Sequence, residues 1–237
     1  MHVETRHQPG FAVARCVLAA GESLVGQSGS MYRSSPGLEI EAMAQGGVLA
    51  SLKRAALGGS SLFLTRYTAQ SAQGWVDLVH QLPGDVAGLE VTADHPVQVT
   101  QGNWLGCSSG VAPQTKWAGM QNLLGGEGGF VLRMEGAGTV VLGCYGALDA
   151  VELGPGEQLT VAAGHIVGYD ADVTLAVRRM ARGRTIRSLK TGQFLVCDLT
   201  GPGRVLLQTR SPNEMVSYIQ ENLPKPAAPG NDGGQND

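Results

Sequence analysis

A mainly β fold made of three repeated units is what this sequence predicts. Three observations lead there: short apolar runs with a period of two, abundant glycine between them, and a strand pattern that returns three times at near-equal intervals. The 237 residues include 35 glycines and 11 prolines, with 43% hydrophobic and 16% charged residues. That balance belongs to a globular chain rich in tight turns. The length is enough to bury about 70–75% of the extended-chain surface, so core size is not limiting.

The repeat rests on segments that return in the same order. GGSSLFLTRY at 58–67, GGEGGFVLRM at 125–134 and TGQFLVCDL at 191–199 each lead from glycine into an apolar strand, with Phe63, Phe130 and Phe194 almost evenly spaced. A second strand follows each, GWVDL from Gly74, GTVVL from Gly138 and GRVLL from Gly203, and these glycines keep the same spacing. Upstream, strands at 22–29, 97–102 and 159–164 run into glycine and are followed by Met31, Trp104 and Ile166. The turns LPGD at 82–85 and LGPGE at 153–157 read as matching ends of the first two repeats. Alternation such as Leu62 and Leu64 against Phe63 and Thr65 is the pattern of a strand with two distinct faces, and glycine supplies the conformations that hairpins and bulges need. Units this small keep open sheet edges, so packing side by side is the economical solution.

The chain accordingly divides into a first β-unit over 10–91, a second over 92–156 and a third over 157–210, then a C-terminal helix over 211–223 and a disordered tail over 224–237. Short helices are expected between strands at 48–57, 115–124 and 175–189. The last helix has Ser211 as N-cap, Pro212 in its first turn and Glu214 to complete a capping box. Its apolar face is Met215, Tyr218, Ile219 and Leu223. The tail carries no large apolar residue beyond Leu223, so nothing offsets its ordering entropy.

Together these residues resemble the AIM24 family (also DUF124). The signature segments are Gly21 through Val25 leading to Ser28, Gly29, Ser30 and Met31; Gly46 and Gly47; Gly58 through Phe63; Leu82 through Asp85; Gly125 through Gly128; and Leu199 through Gly203 with Gln208, Thr209 and Arg210. The likeness spans about residues 10–212. It implies three units of the kind found in the tryptophan RNA-binding attenuation protein (TRAP-like), a short double-stranded β-helix, in one chain. Such units assemble into rings, so the resemblance further implies a homotrimer. No reaction is implied; the mitochondrial member is associated with inner-membrane organisation. The first unit departs from the family, with Gly59-Ser60-Ser61 where Gly-Glu-Ser is usual, and no role is carried over for the missing carboxylate.

Composition and spacing narrow the chemistry. Net charge is −3 with pI about 5.9, so no global positive field draws nucleic acid or anionic lipid. Cys16, Cys107, Cys144 and Cys197 form no CxxC pair, and reduced, buried thiols are expected. His2, His7, His80, His95 and His165 lack metal-binding spacing. Asp77, His80, Asp85, Asp94 and His95 cluster in sequence and read either as surface and turn residues or as a seed for acid–base work. The glycine-rich stretch 124–130 lacks the lysine and Ser/Thr of a phosphate loop. Ser108 and Ser109 beside Cys107 have no activating base nearby, and Glu127, Glu135, Glu152 and Glu157 read as solvated. No cofactor, metal or catalytic set is expected.

One segment stands out: Arg178, Arg179, Arg182, Arg184, Arg187 and Lys190 crowd six positive charges into the stretch 178–190 without an acidic neighbour, a candidate anion-binding site. It reads as a solvated connection or as a patch for RNA or an anionic membrane surface. No signal peptide or membrane span is legible, so a cytoplasmic setting is the default. The functional expectation is a non-enzymatic oligomeric scaffold or binding protein with an unidentified protein partner.

Overall fold

Wherever apolar and polar residues alternate in this chain, the backbone is extended and paired. The computed structural model describes residues 1–43, 64–115, 131–179 and 195–223. Its strands are β1 (His2–Arg6), β2 (Val13–Leu18), β3 (Ser23–Gln27), β4 (Met31–Ser34), β5 (Leu38–Ala42), β6 (Leu64–Ala69), β7 (Gly74–Leu78), β8 (Val86–Val91), β9 (Val97–Thr100), β10 (Trp104–Ser108) and β11 (Val111–Thr115). They continue with β12 (Val131–Gly136), β13 (Gly138–Gly143), β14 (Leu148–Leu153), β15 (Gln158–Ala162), β16 (Ile166–Asp170), β17 (Thr174–Arg179), β18 (Leu195–Thr200) and β19 (Gly203–Gln208). The helix α1 (Pro212–Asn222) follows. The fold is mainly β, as expected from sequence.

Among the described residues four antiparallel sheets result, ordered β1-β2-β7-β4, β5-β6-β3-β10-β13-β8, β11-β12-β9-β16-β19-β14 and β15-β18-β17. One pairing scheme recurs through them. The triplets β5-β6-β3, β11-β12-β9 and β17-β18-β15 are alike, and so are β4-β7-β2, β10-β13-β8 and β16-β19-β14. Even the irregularities repeat. Met31, Trp104 and Ile166 pair with Leu78, Leu142 and Leu207. After a one-residue bulge, Arg33, Gly106 and Gly168 pair with Asp77, Val141 and Leu206. A bulge is a specific local device that re-aims a strand, so its return at three matched positions fixes which residues correspond.

Two further ladders join these triplets into continuous sheets. β3 pairs with β10, setting Leu24, Val25 and Gly26 opposite Ser108, Cys107 and Gly106. β9 pairs with β16, setting Val97, Gln98 and Val99 opposite Asp170, Tyr169 and Gly168. Residues from both sides of each ladder share a core: Leu105 and Val141 pack with Leu24, Tyr67 and Leu78, while Val167 and Leu206 pack with Val99, Leu132 and Met134. A third cluster gathers Tyr169, Val161, Cys197, Leu199 and Val205. Among the described residues, Trp104, Tyr67 and Tyr169 are the largest fully buried side chains.

Several sequence expectations need correction. Residues 174–179 form strand β17, not the start of a helix, because Leu175 and Val177 alternate with Ala176 and Arg178 against β18. The expected helices at 48–57 and 115–124 lie outside the described residues, apart from Thr115, which ends β11; Phe63, Phe130 and Phe194 also lie outside, one residue before β6, β12 and β18. The turns at 82–85 and 153–157 are not equivalent: the first precedes β8 and the second follows β14, although β8 and β14 occupy the same place in the pairing scheme. The polar start of the chain carries no strand signal in sequence, yet β1 pairs along its whole length with β2. The tail over 224–237 lies outside the described residues.

The turn at Gly84 is a point of very close approach between neighbouring segments. It forms a parallel bridge with Gly146, and a Cβ at Gly84 would overlap the Cys144 carbonyl and lie 2.7 Å from the Gly146 nitrogen. Gly84→Ala is expected to lower stability by about 1–3 kcal/mol, whereas Gly102→Ala, with nothing within 4 Å, should stay within about 0.5 kcal/mol. Urea denaturation of the two variants measures the difference.

Candidate functional site

The most concentrated chemistry on the described residues is a charged cluster on β1, β2, β4 and β7. Period-two alternation puts Trp75 and Asp77 on one face of β7, and the register sets Asp77 directly between Arg15 of β2 and Arg33 of β4. Asp77 is fully buried. Its Oδ1 accepts from Arg15 Nε at 2.8 Å, and its Oδ2 accepts from Arg33 Nε at 2.8 Å, Arg15 Nη2 at 3.1 Å and Arg6 Nη2 at 3.2 Å. The Arg15 guanidinium also lies over the Trp75 ring, 3.8 Å from its centroid, a contact that holds the cation without desolvating it fully.

Burial pushes the Asp77 carboxyl upward, but hydrogen bonds from Arg15 and Arg33 and the charges of Arg15 and Arg6 outweigh it, so it sits below the usual carboxylate range. Three cations around one carboxylate leave the cluster net positive. The corresponding residues of the other two triplets are Val141 and Leu206 for Asp77, Gly88 and Ala150 for Arg15, and Gly106 and Gly168 for Arg33. A charged network therefore stands where the matched triplets are apolar or small.

Asp77 falls in sequence with His80, Asp85, Asp94 and His95, but the fold separates their roles. His80 faces two backbone carbonyls, Nδ1 at 3.1 Å from Leu82 O and Nε2 at 3.2 Å from Gly102 O. Asp85 accepts from Gln8 Nε2 and from the Val86 N–H, each at 2.9 Å. The His95 N–H closes a turn onto Thr92. Among the described residues no three His, Cys, Asp or Glu side chains are grouped as metal ligands would be. His80 lines a groove of about 210 Å³ with Gln27, Ser28, Leu105 and Pro212.

The basic segment falls only partly within the described residues. Arg178 lies on β17 and pairs with Asp198 on β18, Nε to Oδ2 at 2.5 Å, while Asp198 also accepts from Thr160 Oγ1 at 2.6 Å. Tertiary structure thus supplies an acid that the sequence neighbourhood of Arg178 lacks. Arg179 continues β17, and Arg182, Arg184, Arg187 and Lys190 lie outside the described residues.

Two further groups of polar and thiol side chains serve the fold. Asn103 Nδ2 donates to Gly143 O at 2.8 Å and to Gln208 Oε1 at 3.0 Å, and Gln208 Nε2 donates to Gly164 O at 2.9 Å. That network ties the β10, β13, β16 and β19 region together with both side-chain amides partnered. The four cysteines are buried free thiols; burial pushes Cys16 and Cys107 up to about 12 and Cys144 and Cys197 up to about 11, which removes nucleophilic thiolate at neutral pH.

Helix α1 corrects the expected capping box. Ser211 is buried and makes no side-chain cap bond, and Glu214 instead approaches His165 at 3.9 Å. Of its expected apolar face only Met215 is half-buried; Tyr218, Ile219 and Leu223 are exposed among the described residues, as is Val216.

A family model described as Mitochondrial biogenesis AIM24 matches residues 3–210. The chain belongs to the AIM24 family. An uncharacterized protein of Streptococcus pyogenes serotype M6 is 21% identical over 222 residues, covering 90% of this chain and 88% of the relative. A crystal structure of a Streptococcus pyogenes protein from a structural genomics consortium superposes with a TM-score of 0.75 at 20% identity, covering 94% of this chain and 99% of that one. At that identity the likeness establishes the fold. The resemblance read from sequence therefore holds, and in this AIM24-family chain the match also takes in β1, which lies before the signature segments.

Asp77 generates a pH prediction. Because its folded pKa is depressed, its contribution is complete above the unfolded value of about 3.9 and is lost as pH falls through the lower folded value. Asp77→Asn, which leaves three part-exposed arginines without their carboxylate, is expected to cost about 1–3 kcal/mol at pH 7 and to flatten the fall in stability from about pH 4 downward. Denaturant midpoints across that range check both.

Proposed function

We propose that this AIM24-family chain is a non-enzymatic scaffold that works as a homotrimer. The observation that carries the reading is the apolar margin of strand β4, unpaired among the described residues: Met31 and Tyr32 are exposed on the outermost strand of their sheet. Exposed sheet edges are templates for pairing and are normally covered or blunted. Large apolar side chains beside such an edge mark a contact surface. The polar clusters described above support the same reading, since each binds its own fold: Asp77 to three arginines, Asn103 and Gln208 to backbone. Four buried thiols without bridges suit a reducing compartment, which supports a cytoplasmic setting. No helix among the described residues is long and apolar enough to cross a membrane.

Multi-angle light scattering tests the assembly. At micromolar concentration the protein is expected to elute as one species with three times the 24.7 kDa mass of the chain. A single 24.7 kDa species would overturn the scaffold reading.

A further inference from the structure

The two internal ladders supply a template for a third. At β3–β10 and at β9–β16, the first strand of one triplet pairs with the bulged strand of the next. Among the described residues, two strands of the same kinds end their sheets without such a partner: β15, which resembles β3 and β9, and β4, which resembles β10 and β16. The exposure of matched residues makes the gap measurable. Trp104 and Leu105 are 0% and 3% exposed and Ile166 and Val167 are 2% and 0% exposed, whereas Met31 and Tyr32 at the same positions are 38% and 60% exposed. Leu105 and Val167 are buried because the preceding triplet covers them; among the described residues no equivalent triplet lies over Tyr32.

Resting on the scaffold reading above, we infer that β4 is the docking strand for β15 of a second copy of this chain. The register follows from the internal ladders: Leu24 and Val97 sit opposite Ser108 and Asp170, which places Leu159 opposite Ser35, Thr160 opposite Ser34 and Val161 opposite Arg33. Backbone direction agrees. The Ser109 N–H donates to Ser23 O at 3.2 Å and the Ala171 N–H to Pro96 O at 3.0 Å, so in β3 and β9 alternate residues starting at Ser23 and Pro96 turn their backbone groups toward the neighbouring strand. Their counterparts in β15 are Gln158 and Thr160, and the backbone groups of these two residues point outward. A head-to-tail contact of this kind uses two different surfaces and closes into a ring when the rotation allows.

Chemistry distinguishes this joint from the internal ones. Glycine lets the internal strands meet closely: a Cβ at Gly106 would lie 3.0 Å from Val25 O, and one at Gly168 would lie 2.6 Å from Gln98 O. Arg33 replaces that glycine, and Pro36 replaces the Ser109 or Ala171 donor. The joint between chains is therefore more open and lacks one hydrogen bond that the joints within a chain possess. Beside β15 stands Asp198, where the matched positions carry Arg66 and Arg133; its hydrogen bond from Thr160 puts it on the face of Ser34, not on that of Arg33.

Two experiments of different kinds test the register. Thr160→Pro removes an outward N–H from an edge strand, where proline is tolerated; a chain with unchanged circular dichroism and a mass reduced to 24.7 kDa is expected. Separately, a Leu159→Cys chain and a Ser35→Cys chain are co-expressed and mildly oxidised. Flanking a hydrogen-bonded pair, these positions have Cα atoms about 4.5 Å apart, within disulfide reach. A covalent dimer is expected from the mixture and from neither chain alone. If Thr160→Pro still assembles and no 35–159 crosslink forms while the unmodified protein remains oligomeric, the register is overturned and the scaffold reading survives. A monomeric unmodified protein overturns both.

Discussion

Strand pairing between successive triplets is the constraint on which this structure depends. Neither kind of triplet encloses a core by itself; a bulged triplet packs with the other triplet of its own repeat, as Cys16, Val76 and Leu78 do with Leu24 and Tyr67, and also with the triplet that precedes it, as Leu105 and Val141 do with Leu24 and Tyr67. Each ladder satisfies the backbone of two edges at once and fixes which side chains meet. A slip of one residue would exchange the places of Val140 and Val141, which belong to different clusters. The bulges at Tyr32, Leu105 and Val167 keep that register while re-aiming the bulged residue.

Against that background the Asp77 cluster is an exception with a physical meaning. A buried carboxylate with three arginines is a weak source of stability, because desolvation offsets most of the attraction. Val141 and Leu206 show that an apolar residue serves the same position where a neighbouring triplet covers it. At the first bulged strand no described triplet of the same chain provides cover, and Arg6, Arg15 and Arg33 surround Asp77 instead. A network of paired charges lets that face remain folded when uncovered.

Much of the fold is legible in sequence because strands announce themselves by alternation and hairpins by glycine. The segments beginning at Gly74, Gly138 and Gly203 are β7, β13 and β19, in matching roles. Aligned on those glycines, the sequence already places Asp77 opposite Val141 and Leu206, so a signal for the cluster is present. What hides it is proximity along the chain, which joins Asp77 to His80 and not to Arg15 and Arg33. The likeness of the turns at 82–85 and 153–157 misleads for a related reason: Pro and Gly report that the chain turns, not which strand has just ended. In 174–179, Leu175 and Val177 are compatible with either a helix face or a strand face, and pairing with β18 decides between them.

Sequence alone determined the secondary-structure class, the threefold recurrence of strand signals and the family, because periodicity and glycine spacing are local properties carried by adjacent residues. Tertiary structure decided which strands are neighbours, which of the matched positions are covered, and that Arg6, Arg15 and Arg33 converge on Asp77. Arg6 and Asp77 are 71 positions apart. Local preference cannot encode such a contact, since each strand offers two edges and two faces and only the packed sheets settle which are used.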